Sequence, residues 1–304
     1  MLLLLALACQ KEPDAVADTG TPFEPSPYIF DELDPPVPGL DESALEAAIL
    51  GAVDIAYSLN ARPAFSAYHS AIADMESGCP DYYEADGNVY WYDQCTTSTG
   101  AQFDGYGFYN AYDAYDAGDG ALYYGEAFSG VARVTTSDGA SFVAGGSIYD
   151  LRAEADGYTT YQSVVSGAFA WDGADVDGTW LTGELTPDLA LYVLGTTDST
   201  LGRAAQLSGG IGGFEGEISS VVFDGVFLQS EGWGGTCPQE PGGMVSVRDV
   251  SGDWYDVLFH GPTEWAGAAT GACDGCGDAY FRGEPMGTVC ADFTALTDWE
   301  TTPW

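Results

Sequence analysis

Across residues 103–230, short runs of Val, Tyr, Phe and Trp are interrupted again and again by Asp-Gly and Gly-Gly pairs, a rhythm few folds accommodate. Five of the Asp-Gly doublets, beginning at Asp104, Asp119, Asp138, Asp156 and Asp172, follow at intervals of 15 to 19 residues. Asp and Gly accept the left-handed backbone of tight hairpin turns, so each interval has room for one two-stranded hairpin. The expected fold is mainly β: an antiparallel meander or sandwich with a short N-terminal helical segment and a disulfide-stapled C-terminal unit.

Strands are predicted over 89–92, 103–109, 121–126, 131–135, 141–143, 147–153, 158–165, 168–171, 179–186, 190–194 and 218–228. Glu84-Ala85-Asp86-Gly87 recurs as Glu154-Ala155-Asp156-Gly157. Only these turns agree between segments, which makes a β-solenoid the lesser alternative, since repeat folds keep side-chain identity at fixed positions.

Helical periodicity is confined to residues 41–75. Ser43 with Glu46 fits a capping box, and Leu45, Ile49, Ala52, Val53 and Ala56 follow at helical spacing. Asn60 and Pro63 mark a break before a second stripe of Phe65, Tyr68, Ala71, Ile72 and Met75. Two such helices suit one face of a sheet. His69 stands beside that stripe with no Cys or second His at ligand spacing, so a hydrogen-bonded histidine is expected there rather than a metal ligand.

Charge excludes several classes of partner. With 47 Asp and Glu against 7 Lys and Arg, the net charge is −40. Such a surface repels phosphate backbones and anionic lipid heads, so neither nucleic acid nor electrostatic membrane attachment is expected. Cations, cationic partners or high salt suit it better.

Residues 2–8 are wholly apolar and run into Leu5-Ala6-Leu7-Ala8-Cys9, which resembles the lipobox of bacterial lipoproteins. The resemblance implies a signal peptide over 1–8, lipidation at Cys9 and a place in the cell envelope, on the outer membrane or cell surface. Ala6 stands where that family commonly has Leu, and a basic n-region is missing. So short an apolar run cannot span a bilayer, which needs roughly 20 residues. Residues 9–40 are rich in Pro, Asp, Glu and Thr and read as a disordered tether. Residues 41–232 then form the helical segment and β-meander, and 233–304 a Gly- and Cys-rich β unit that belongs to the same domain or stands beside it.

A membrane-spanning β-barrel fits poorly. Its strands keep an apolar lipid face over about 9–11 residues, and Glu300, Thr302 and Pro303 spoil the alternation of a closing strand before Trp304.

Setting Cys9 aside leaves Cys79, Cys95, Cys237, Cys273, Cys276 and Cys290, an even number in a chain expected to be exported, which favours three disulfides. Cys79 with Cys95 is the natural first pair, and closing that loop stabilises by about 3 kcal/mol on the chain-entropy model. The other four allow three pairings, among which spacing does not choose. Cys273-Asp274-Gly275-Cys276 also admits a zinc half-site or a redox pair. The first lacks a second CxxC and the second lacks a βαβ context.

Two acidic stretches suggest calcium, which takes six to eight oxygen ligands from a flexible loop. One offers Asn110, Asp113, Asp116 and Asp119; the other offers Asp172, Asp175 and Asp177. Neither has EF-hand spacing, and an acidic solvated turn is the alternative for both. No other cofactor is indicated.

Catalytic signatures are sparse. The chain has two histidines and neither Gly-x-Ser-x-Gly nor His-Glu-x-x-His. His260, before Gly261-Pro262, is expected to end a strand. A hydrolase acting on envelope polysaccharide through an Asp/Glu pair is the alternative function, although so many carboxylates nominate no pair. Tyr82, Tyr83, Tyr90, Trp91, Tyr92, Tyr106, Tyr109, Tyr112 and Tyr115 crowd the early strands. Most suit packing, and some could form an exposed platform for stacking on sugar rings. The leading expectation is a non-enzymatic, lipid-anchored envelope protein with a structural or adhesive role, binding a surface glycan or protein.

Overall fold

The computed structural model describes residues 37–304 except 59–60, 117, 119, 156, 174–177, 182–190, 215, 235–236, 238–239, 265–266 and 298–304. Cys9, the tether through residue 36 and Trp304 therefore lie outside the described residues, as do Asp119, Asp175 and Asp177.

Among the described residues, fourteen strands form a single sheet. In chain order they are β1 (Asp81–Ala85), β2 (Asn88–Thr96), β3 (Gln102–Asp116), β4 (Leu122–Thr135), β5 (Ser141–Ala155), β6 (Tyr158–Asp172) and β7 (Gly178–Leu181). They continue with β8 (Leu191–Asp198), β9 (Gly202–Gly212), β10 (Ile218–Gln229), β11 (Gly242–Asp249), β12 (Trp254–His260), β13 (Cys276–Phe281) and β14 (Glu284–Cys290). Each pairs antiparallel with its chain neighbours, except that β6 pairs with β7 near one end and with β8 over 158–165, so that β1 and β14 are the two edges. Of the expected architectures this is the meander. Strands β11 to β14, all beyond residue 233, continue the same sheet.

Helices α1 (Glu42–Ser58) and α2 (Ala61–Ile72) cover one face, α1 against β10, β11 and β14, α2 against β4, β5 and β6. The cap of α1 differs from expectation. Asp41, not Ser43, takes the N-cap role: the Ala44 amide donates to Asp41 Oδ1 at 2.9 Å, and a carboxylate beside the positive end of a helix is favourable. Pro63 falls in the first turn of α2, where its missing N–H costs nothing. Phe65 and Tyr68 then enter the core beside Tyr109, Phe128 and Phe142, with Tyr68 and Phe128 centroids 4.8 Å apart. Burying each such ring stabilises by about 1.5–3 kcal/mol.

Several strands are longer than the sequence pattern suggests. The expected breaks at Gly130, Gly145-Gly146 and Gly167 are not turns, and neither is Asp104-Gly105, which lies inside β3. Register explains them. Gly107 pairs with Gly130, Gly130 with Gly146 and Gly146 with Gly167, a row of four glycines across β3 to β6. A β-carbon on Gly146 would stand 2.0 Å from the Ser166 carbonyl oxygen, at a φ of +150°. On Gly107 it would stand 2.5 Å from Trp91 Nε1, which donates to the Tyr68 hydroxyl. Glycine rows of this kind mark where a sheet bends sharply or another group approaches closely. At Gly107 and Gly130 the approaching groups include the Trp91 and Phe128 rings, and at Gly146 and Gly167 they are the backbone of the paired strand.

Candidate functional site

The two faces of the sheet offer different chemistry. On the helix-covered face, the row nearest α2 is apolar: Phe128, Ile148, Val165 and Leu191 are paired neighbours on β4, β5, β6 and β8. One step along the strands the row becomes Glu126, Asp150 and Ser163, and the next becomes Tyr124, Arg152 and Tyr161. Glu126 Oε1 accepts from the Tyr109 hydroxyl at 2.8 Å and meets His69 Nε2 at 2.9 Å. Its other oxygen is buried without a hydrogen-bond partner among the described residues. Asp150 Oδ1 stands 3.6 Å from Arg152 Nε, both side chains sealed at 0% and 2% exposure, and the Arg152 guanidinium lies 5.0 Å from the Tyr161 ring centroid. The Tyr124 hydroxyl donates to Glu154 at 2.7 Å. Burial, then the Glu126 hydrogen bond, pushes the Tyr109 phenol well above its ordinary range; burial does the same to Tyr68.

This buried polar belt contains the kind of carboxylate pair a glycosidase uses, in Glu126 and Asp150. Its accessibility is wrong for that work. Asp150 is fully buried and bound beside Arg152, so an attacking carboxylate there could not reach a sugar.

The opposite face exposes aromatics on its first strands. Tyr83, Tyr90 and Phe108 are paired neighbours across β1, β2 and β3, with Tyr90 stacked on Phe108 at 4.4 Å. The next row holds Asp81, Tyr92, Tyr106 and Val131. Tyr83, Tyr92, Tyr106 and Val131 are each more than half exposed, at 65%, 63%, 55% and 56%. The Tyr92 hydroxyl donates to Asp81 Oδ2 at 3.1 Å, and that bond raises its pKa. Of the other early aromatics, Trp91 and Tyr109 are core residues, Tyr82 is exposed on the helix-side face of edge strand β1, and the side chains of Tyr112 and Tyr115 lie outside the described residues.

Beyond the aromatic rows the same face forms an open groove of about 420 Å³. Its side-chain rim is Gln94, Asp104 and Arg133, then Thr96, Gln102 and Thr135, two successive rows of β2, β3 and β4. The first two strands are held by a disulfide joining Cys79, just before β1, to Cys95 on β2. Glu76, on the chain leaving α2, accepts from the Ser98 amide and hydroxyl at 2.6 Å each, tying down the β2–β3 turn.

The remaining cysteines pair as Cys237 with Cys273 and Cys276 with Cys290, leaving the CxxC residues in separate bridges. That arrangement is neither a zinc ligand set nor a redox pair. His260 ends β12 and meets Asp278 Oδ2 at 2.9 Å. Among the calcium candidates, Asn110 Nδ2 donates to Asn88 on the aromatic face, and Asp116 Oδ1 accepts from the Gly118 amide at 2.7 Å. Asp172 Oδ1 accepts from the Ser141 amide and hydroxyl at 2.5 Å. The Asp113 side chain lies outside the described residues. Among the described residues no group of three or more His, Cys, Asp or Glu is arranged to hold a metal ion. No helix among them is long and apolar enough to cross a membrane.

No family model, curated protein or solved structure matches the chain.

Proposed function

We propose that this chain is a lipid-anchored protein of the bacterial cell envelope that binds a surface partner and does not convert it. The observation that carries the binding role is the exposed aromatic face of β1 to β4, built on an edge hairpin that a disulfide pins in place. Exposed contiguous aromatics of this kind are binding surfaces more often than chance patches. The lipobox-like Leu5 to Cys9 segment supports the anchor, and three disulfides suit an oxidising compartment outside the cytoplasm. The sealed Asp150 beside Glu126 weighs against the polysaccharide hydrolase.

Expression with a clickable fatty-acid analogue tests the anchor. Wild-type protein takes the label and sediments with membranes, and Cys9→Ser does neither. An unlabelled, cytoplasmic wild type sinks the reading. Reducing-sugar release from envelope polysaccharide, abolished by one Asp or Glu substitution, would replace it with the hydrolase.

A further inference from the structure

We infer that the aromatic rows and the polar groove of β2 to β4 form one continuous site for an uncharged oligosaccharide. The inference rests on the binding role proposed above and names the ligand class.

A sugar ring presents an apolar C–H face and an equatorial rim of hydroxyls, so its site needs flat aromatic surface and, beside it, donors and acceptors. This face supplies both in register. Tyr90, Tyr92 and Tyr106 offer the flat surface, and Gln94, Asp104 and Arg133 follow one row further along the same strands. Side chains two apart on a strand stand about 6.6 Å apart on the same face, so a ring stacked on Tyr92 lies within reach of Gln94. Among the described residues, the side chains of Gln94, Gln102, Asp104 and Arg133 engage in no hydrogen bond or ion pair, although each is exposed on the groove. An amide, a carboxylate and a guanidinium together satisfy hydroxyls as both donors and acceptors.

Charge selects within the carbohydrates. The molecule as a whole carries −40 and repels anionic chains. Locally Arg133 faces Asp104 across β3 and β4, so the groove is close to neutral within an acidic surface. A cationic partner would find more countercharge on the acidic surface outside the groove than within it.

The test is titration of the full-length protein with a panel of soluble probes: cellohexaose, maltoheptaose and mannohexaose as neutral chains, an alginate hexamer as the anionic one, and pentalysine as the cationic one. The expected result is binding of at least one neutral chain, weakened by about tenfold or more in Tyr92→Ala/Tyr106→Ala and again in Gln94→Ala/Arg133→Ala. All four positions are exposed, and an unchanged thermal melt shows that each variant folds. Binding that survives both double substitutions overturns the site. Failure of every neutral chain, or preference for alginate or pentalysine, overturns the ligand class. If purified envelope still retains the wild type but not Tyr92→Ala/Tyr106→Ala, the ligand class alone is wrong. Failure of the Cys9 labelling leaves the oligosaccharide result untouched.

Discussion

Glu126 on β4 and Asp150 on β5 stand directly opposite each other beneath the helices, two carboxylates on the buried face of neighbouring strands. Opposed side chains of this kind have β-carbons about 4.5–5.5 Å apart, and facing like charges destabilise a sheet. His69 hydrogen-bonds Glu126 on one side, and the Arg152 guanidinium stands beside Asp150 on the other. Arg152→Met should therefore cost about 3–5 kcal/mol in chemical denaturation, since it strands a buried carboxylate. Adding Asp150→Asn should recover part of that loss. A double variant no more stable than the single would show that the pair does not act as a unit.

The glycine row makes a sharper structural prediction. Gly146→Ala and Gly167→Ala each push a methyl group against a neighbouring carbonyl, 2.0 Å and 2.1 Å away, at φ values of +150° and +120°. Strain and overpacking together should destabilise each variant by about 2–4 kcal/mol. Gly139→Ala, in the β4–β5 turn with open space around it, is the control: it shares the positive φ without the clash and should cost less.

Removing the first disulfide with Cys79→Ser/Cys95→Ser should lower stability by about 3 kcal/mol on the chain-entropy model. Because β1 pairs only with β2, the loss should concentrate at this edge. Hydrogen exchange should show residues 81–96 losing protection ahead of β9 to β12. Uniform loss across the sheet would contradict it.

Two opposing effects should shape stability against pH. Falling pH from about 7 to about 5 begins to discharge a surface carrying −40 and relieves self-repulsion, so the melting temperature should rise. The carboxyls of Asp138 and Asp172 are held below their ordinary value, the first by the Thr136 hydroxyl and the second by the Ser141 hydroxyl, each with backbone help. Groups depressed in the folded state stabilise fully above the unfolded value of about 3.9 and lose that contribution as pH falls through the folded value. Their contribution should therefore fade below about pH 4, where the melting temperatures of the wild type and Asp138→Asn/Asp172→Asn should converge. Added NaCl at neutral pH should reproduce the first rise, and a curve falling steadily from pH 7 would refute it.

Calcium and magnesium at matched ionic strength should raise the melting temperature equally over EDTA, because Asn110, Asp116 and Asp172 already satisfy local partners. A calcium-specific rise would place a site in the acidic turns.

Strand chemistry, helix periodicity and even cysteine number are local properties, and each is legible in order along the chain. Ser43 misled because a capping box can be written one or two residues from the true cap, and only the Ala44 amide's choice of Asp41 reveals it. Gly130, Gly146 and Gly167 misled for a deeper reason. Glycine marks a turn or a close approach equally well, and a linear reading takes the turn.

The candidate site was half visible. Crowded tyrosines between Tyr82 and Tyr115 are plain in the sequence, but strand register decides which are core. Trp91 points under the glycine row and Tyr90 and Tyr92 point away, because successive side chains leave opposite faces of a strand. Arg133 could not be joined to Gln94 and Asp104 from sequence at all. Composition and local pattern by themselves determined that this chain is an acidic, antiparallel β protein with two helices and paired cysteines. Tertiary structure alone decided that four distant glycines align across β3 to β6 and that an aromatic ladder meets a neutral groove, since both depend on pairing between strands far apart in the chain.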